Sequence, residues 1–190
     1  MLLFREKIPP YWLPKVLAAL PAILVDHAHL ERKAATSAIV LQKYREMFPH
    51  LDELSAIAIE ELQHFQLVLD FVRRRHLPFS QPHASPWISG LMRAARSGRR
   101  FQVIDHLICA ALIEGRSCEK FQLLARALAD PDPELARFYA GLVESEGNHY
   151  AAYLLMARGV DEAETRSRLD YYLELEARLI RVPNNFPILH

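Results

Sequence analysis

Glycine is scarce in this chain, six in 190 residues, and no stretch is dense in valine, isoleucine and threonine. Sheets and their tight turns draw on both, so an all-β fold is excluded. Cysteine is scarcer still. Cys109 and Cys118 are the only two and lack CxxC spacing, which excludes a disulfide framework and points to a reduced, cytoplasmic setting. No run approaches the roughly 20 apolar residues of a membrane span. The apolar segment 12–25 is interrupted by Pro14, Lys15 and Pro21. It runs straight into a charged amphipathic stretch and reads as a lead-in helix, not a targeting sequence. Net charge is missing as well, with 23 basic against 23 acidic residues, so overall electrostatics name no partner.

What remains is a chain that is 51% hydrophobic and rich in Ala, Leu, Glu and Arg, suited to one helical domain over residues 1–190. Apolar spacing of three and four predicts long helices over 21–47 (ended by Pro49), 52–76 (ended by Pro78), 99–129 and 132–159. Ser85 and Pro86 open a short helix in between. Gly159 is the expected C-cap of the fourth long helix, and Asp161 with Glu164 opens a fifth over 161–181. The first and second long helices, and the third and fourth, are joined by short loops and must be antiparallel. The second and third are separated by residues 77–98, long enough to cross the whole bundle. This is an all-α, ferritin-like four-helix bundle, core 21–159, with one long crossover and an added C-terminal helix.

Each of the four apolar stripes carries a carboxylate. Glu31 lies among Leu24, Ala28, Ala35 and Ala38. Glu61 and His64 share the face of Ile57 and Val68, Glu114 interrupts the stripe from Ile104 to Leu128, and Glu146 and His149 lie with Leu142 and Tyr153. Four carboxylates in one core need compensating positive charge. Residues three apart on a helix project from one side, so each ExxH pair can serve a single site. The order Glu, ExxH, Glu, ExxH, with intervals of 30 and 32 residues, is the ligand pattern of di-iron and di-manganese bundles. Oxygen and nitrogen donors suit iron or manganese without deciding between them. Glu114 is expected to bridge the metals. Glu60 and Ser145 are positioned to take the far-nitrogen proton of a ligand histidine, with Glu60 expected to face solvent. His27 reads as a core histidine, and Cys118 as a small core residue.

Residues 71–104 contain no Asp or Glu but seven arginines: Arg73, Arg74, Arg75, Arg93, Arg96, Arg99 and Arg100. Arginine forks onto phosphate, and the seven are expected to form a stripe along the bundle, with Phe79 and Trp87 available to stack on bases. A solvated helix end, or a dock for an acidic redox protein, explains them equally well.

The assembled residues resemble the bacterial tRNA hydroxylases that act on 2-methylthio-N6-isopentenyladenosine beside the anticodon. The resemblance runs over residues 24–156 through Asp26-His27-Ala28, Glu31-Arg32-Lys33-Ala34-Ala35, Glu60-Glu61-Leu62-Gln63-His64-Phe65, Ile113-Glu114-Gly115-Arg116-Ser117-Cys118-Glu119-Lys120-Phe121 and Ser145-Glu146-Gly147-Asn148-His149-Tyr150. Gly147-Asn148 departs from the family's Ala-Arg. The resemblance implies a monooxygenase with two iron ions held by Glu31, Glu61, His64, Glu114, Glu146 and His149. It further implies O2 as co-substrate, an external two-electron donor such as a ferredoxin or flavodoxin with its reductase, and a tRNA anticodon stem-loop as substrate. No membrane partner is expected, and the chain is expected to be a monomer or weak dimer. Ala34, Ala35 and Ala38 would leave room for the prenyl tail. Within the same fold, ferroxidase or iron storage and peroxide scavenging are the alternatives. A rubrerythrin-type attached iron site needs four cysteines, and the chain has two.

Overall fold

Proline and three side-chain caps set most of the helix boundaries. The computed structural model describes residues 2–81, 83–184 and 186–190, and of Arg99 and Arg100 the backbone alone. Among the described residues the α-helices are α1 (Trp12–Ala18), α2 (Leu20–Leu41), α3 (Leu51–Arg74), α4 (Pro86–Arg93), α5 (Arg99–Ala127), α6 (Pro133–Val160) and α7 (Glu162–Leu179). Ser85, Asp132 and Asp161 accept the N–H of Ile88, Leu135 and Glu164, each cap contributing about 1 kcal/mol.

Three expectations change. The lead-in segment is not one helix: α1 and α2 meet at Ala19 with a bend of 102°. In a continuous helix the ring of Pro21 would strike the carbonyl of Leu17, so the chain restarts there. No single helix is long and apolar enough to cross a membrane. The first long helix ends at Leu41, six residues early. Tyr44 turns extended, and a 3-10 turn over Arg45–His50 leads into α3. That turn buries Tyr44 and Met47 and lets the Tyr44 hydroxyl meet His106 Nδ1 at 3.2 Å. Nor does Gly159 end α6. The helix runs to Val160 and Asp161 turns extended, closing α6 and capping α7 with one residue.

The bundle pairs α2 with α3 and α5 with α6. Arg75 reaches Asp132 at 2.6 Å, which puts the end of α3 beside the start of α6. Residues 75–85 and α4 then carry the chain to the opposite end, where α5 begins. The apolar core falls into two clusters. One gathers Leu41, Leu54, Ile104, Leu107 and Tyr153 near the end where α5 starts. The other gathers Ile23, Leu24, Val68, Phe121 and Tyr139 near the end where α6 starts. Between them lies a polar layer.

Candidate metal centre

Glu31, Glu61, His64, Glu114, Glu146 and His149 are that layer, none more than 7% exposed. Their donor atoms form two overlapping sets, each within 4.8 Å. Glu31, Glu61, His64 and Glu146 make one, and Glu61, Glu114, Glu146 and His149 the other. Glu61 and Glu146 belong to both, whereas Glu114 belongs to one. The residues common to both groups are thus the two ExxH glutamates, on α3 and α6, whereas Glu114, expected to bridge, belongs to one group.

The donors aim at common points rather than at one another. His149 Nδ1 lies 2.7 Å from Glu61 Oε1, yet neither atom has a hydrogen bond. Both Glu61 oxygens, Glu146 Oε1 and His64 Nδ1 are likewise buried without a partner. A buried carboxylate without a hydrogen bond is costly, and five such atoms in one layer fit a site built for cations. Four carboxylates with two neutral imidazoles leave a charge that two divalent ions cancel.

Both histidines are held in the tautomer that ligation needs. His149 Nε2 donates to Glu60 Oε2 at 3.0 Å. Ser145 spends its hydroxyl proton on the Leu142 carbonyl at 2.9 Å, so its oxygen accepts from His64 Nε2 across a long 3.5 Å. Each Nδ1 is left facing the carboxylates, that of His64 lying 3.7 Å from Glu31, 3.9 Å from Glu61 and 3.8 Å from Glu146. Glu60 faces solvent as expected, its side chain 46% exposed, and serves as the acceptor as well. His27 is also more than a core histidine. Its Nε2 bonds Glu31 Oε1, and its ring stacks on Tyr139.

The protonation pattern shows the charge imbalance directly. Burial, then the neighbouring carboxylates, pushes Glu114 up to about 7 and Glu146 well above the carboxylate range, and burial with the Glu31 charge raises Glu61. Burial works the same way on Glu31, but the electrostatic pull and hydrogen bond of His27, with hydrogen bonds to His64 and Glu61, outweigh it and draw the carboxyl down to about 2. Burial would lower His64 and His149, yet their carboxylate neighbours raise them to about 10 and about 9. Shifts of these signs are what carboxylates crowded together in a buried layer around two imidazoles produce.

A cavity of about 430 Å³ reaches Glu31, Glu61, Glu114 and Glu146 from the gap between α2 and α5. Leu30, Ile88, Ile113 and Tyr153 give it apolar walls, and Ser117 and His190 stand at its side. Of the three alanines expected to make room, Ala34 borders it. Ala35 and Ala38 are buried in helix packing instead.

The model of the tRNA-(MS[2]IO[6]A)-hydroxylase (MiaE) family matches residues 2–190. The chain belongs to that family. It is 36% identical over 178 residues, 93% of this chain and 85% of the relative, to the tRNA 2-(methylsulfanyl)-N(6)-isopentenyladenosine(37) hydroxylase of Pseudomonas putida. The Salmonella typhimurium protein of the same name is 37% identical over 134 residues, 70% of this chain and 48% of that relative. The chain thus matches about half the length of the latter. Among solved structures, Protein 43 with aldehyde deformylating oxygenase activity from Synechococcus superposes with a TM-score of 0.91 at 29% identity, covering 100% of this chain and 96% of that one.

The stretch that follows Glu114, Gly115-Arg116-Ser117, has a clear packing role. A Cβ at Gly115 would stand 2.9 Å from the Tyr150 ring and 3.0 Å from Phe4. Arg116 is fully buried and forks onto Glu176 at 2.8 and 2.7 Å, while Trp87 Nε1 donates to the same carboxylate at 3.2 Å. This clamp fixes α4, α5 and α7 together and holds Ile88 in the cavity wall. Trp87 is therefore buried and not free to stack on a base. Ser117 Oγ meets His190 Nε2 at 3.1 Å, and Lys120 Nζ meets His190 Nδ1 at 3.0 Å. Glu176 and His190 were not singled out in the sequence. Nothing local marks them, because their hydrogen-bond partners lie 60 to 89 positions away.

The arginines of 71–104 do not make one stripe. Arg73, Arg74 and Arg75 sit at the end of the bundle where α6 starts, and Arg93 and Arg96 near the other end. They are separated by about the 36 Å that a 24-residue helix spans. Arg74 pairs with Glu134 and Arg75 with Asp132, both at 2.6 Å, and Arg73 lies 3.5 Å from Asp70. Arg96 is held by the buried Asp105 at 2.8 Å and by Glu164 at 2.5 Å, and Arg168 joins the same network. The side chains of Arg99 and Arg100 lie outside the described residues. Phe79 is exposed and stacks on His29.

Proposed function

We propose that this chain is an O2-dependent di-iron monooxygenase that hydroxylates the isopentenyl group of 2-methylthio-N6-isopentenyladenosine in tRNA. The observation that carries the proposal is the pairing of six convergent, buried donor residues with an apolar cavity that opens onto them. Family membership narrows the substrate. An ion or a peroxide needs no such cavity, which favours an organic substrate over the ferroxidase and scavenging alternatives.

In this reading Glu31, Glu61, His64, Glu114, Glu146 and His149 hold two iron ions. When bound, these would supply O2 reduction and oxygen insertion into an allylic methyl C–H bond of the prenyl group. The protein's own part is positional. Glu60 and Ser145 keep each ligand nitrogen free, His27 orients Glu31, and Leu30, Ile88 and Ile113 seat the prenyl group and exclude water. The balance requires one O2, two electrons and two protons for each alcohol and water formed. A ferredoxin or flavodoxin with its reductase is the expected source of electrons, and a tRNA substrate places the reaction in the cytoplasm.

The test incubates prenylated tRNA with iron-loaded protein, reductant and O2, and analyses the nucleosides by mass spectrometry. A gain of one oxygen on the prenylated nucleoside, dependent on both O2 and reductant, is expected. Iron oxidation with no modified nucleoside would replace this reading with the ferroxidase one.

A further inference from the structure

The outer lip of the cavity carries a second pattern. Lys33, Thr36, Ser37 and Val40 of α2 form one side, with Met92 of α4 and His106 of α5 opposite. Lys33 and, just beyond the lip, Lys43 and Arg93 are exposed. Among the described residues none of these three lies within ion-pair distance of a carboxylate, whereas Arg73, Arg74, Arg75 and Arg96 all do. Thr36 and Ser37 donate their hydroxyl protons to the carbonyls of Arg32 and Lys33, both at 2.9 Å, which leaves their oxygens as acceptors at the opening. Lys33 lies eight residues before the end of α2 at Leu41, about 12 Å by helical rise, and Lys43 follows two residues past that end. That is long enough to follow more than one phosphate.

Resting on the function proposed for the site, we infer that the tRNA loop docks on this lip, with Lys33, Lys43 and Arg93 contacting its phosphates while the modified base enters between α2 and α5. Two physical arguments favour RNA here over an acidic electron-transfer protein. The reacting group must pass through this opening, and the cations stand around the passage itself. An electron donor has no need to cover the passage. A cation already paired with a carboxylate must also give up that partner to bind phosphate, which puts the paired arginines at a disadvantage.

The experiment measures affinity for an anticodon stem-loop carrying the methylthio-isopentenyl base at several salt concentrations, using the iron-loaded full chain. Three proteins are compared: wild type, the triple variant Lys33→Gln, Lys43→Gln, Arg93→Gln, and the triple variant Arg73→Gln, Arg74→Gln, Arg75→Gln. The lip variant is expected to bind at least about tenfold more weakly. Its log K against log salt should flatten by roughly 0.7 to 0.9 for each phosphate that is no longer neutralised, with iron content unchanged. The arginine variant is expected to stay close to wild type. Lip-variant affinity and slope equal to wild type would overturn the inference. So would an effect confined to the arginine variant, or an intact RNA affinity with a slower rate from reduced flavodoxin. If wild type itself neither binds nor hydroxylates the stem-loop, the proposed function falls and takes this inference with it. Hydroxylation by wild type with an unaffected lip variant removes the docking surface alone.

Discussion

Lys120 offers the most exacting test of the electrostatics of this core. Its ammonium is fully buried beside the Trp12 and Trp87 rings, each 5.5 Å from Nζ, and its one described hydrogen bond goes to His190 Nδ1. Burial, then the Arg116 charge, lowers it from the ordinary 10.5 to about 7, although Glu176, Asp26 and Glu119 pull the other way. The neighbouring His190 is itself pushed well below the usual histidine range by burial and the Lys120 charge, so it stays neutral. The sign follows from proton counts. Below pH 7 both folded and unfolded chains carry the ammonium, and the folded state bears the full cost of burying it. Between pH 7 and 10.5 only the unfolded chain keeps the proton, so this group makes stability rise with pH. At about 1.36 kcal/mol per pH unit, the cost at low pH is about 5 kcal/mol, falling to about 2 kcal/mol by pH 9. Lys120→Met removes the titration. Relative to wild type it should therefore gain about 2 to 3 kcal/mol more at pH 6 than at pH 9, whatever constant loss comes from His190 and the indoles. Urea unfolding followed by circular dichroism at about pH 6, 7, 8 and 9 measures the difference, and groups common to both proteins cancel. Parallel pH profiles for the two would refute the argument.

Three further outcomes follow from the site and its clamp. Glu61 belongs to both donor sets and Glu114 to one, so Glu61→Ala should lose nearly all iron and Glu114→Ala should retain about one ion per chain. Elemental analysis of the purified variants decides it, and the reverse order would undo the assignment of shared ligands. Glu60→Gln keeps the shape of the acceptor of His149 Nε2 and removes its charge. Iron affinity should fall roughly 10- to 100-fold with the helical signal intact, read by competition with a chelator. Glu176→Gln takes from the buried Arg116 guanidinium one of its two carboxylate partners, leaving Glu119, and should cost about 1.5 to 3 kcal/mol, seen as a lowered denaturation midpoint.

Features carried by short sequence intervals were readable from the chain alone. The two ExxH pairs, the lone glutamates and the caps at Ser85 and Asp161 depend on spacings of three and on helix periodicity, and the fold placed them as expected. Features that depend on distant partners were not readable. Nothing near Glu176 says that it will meet Arg116, and His27 looks like any histidine in an apolar stripe until Glu31 is found one turn away on the same face. Trp87 and the single arginine stripe differ from expectation for a related reason: sequence shows which side chains are charged or aromatic, but not which already have a partner. The missing C-cap at Gly159 is a local competition, since Asp161 can end α6 and begin α7 at once.

The segment from Ile188 to His190 brings a different consequence. Leu189 gives its N–H to Asp26 at 2.8 Å and takes the indole proton of Trp12 at 3.1 Å, while His190 stacks on Trp87 beside the cavity. One wall of the chamber is thus made of residues more than 160 positions away from the start of the helix opposite. Contacts of that span form late, after the entropy of closing so long a loop has been spent. The α2–α3 and α5–α6 hairpins can form from near neighbours first and then dock to make the carboxylate layer, leaving the chamber open on one side until the segment Ile188–His190 packs into place. Maturation would then have an order, with the ligand helices docking before the reaction chamber is sealed, and metal entry would be easiest in the interval between them.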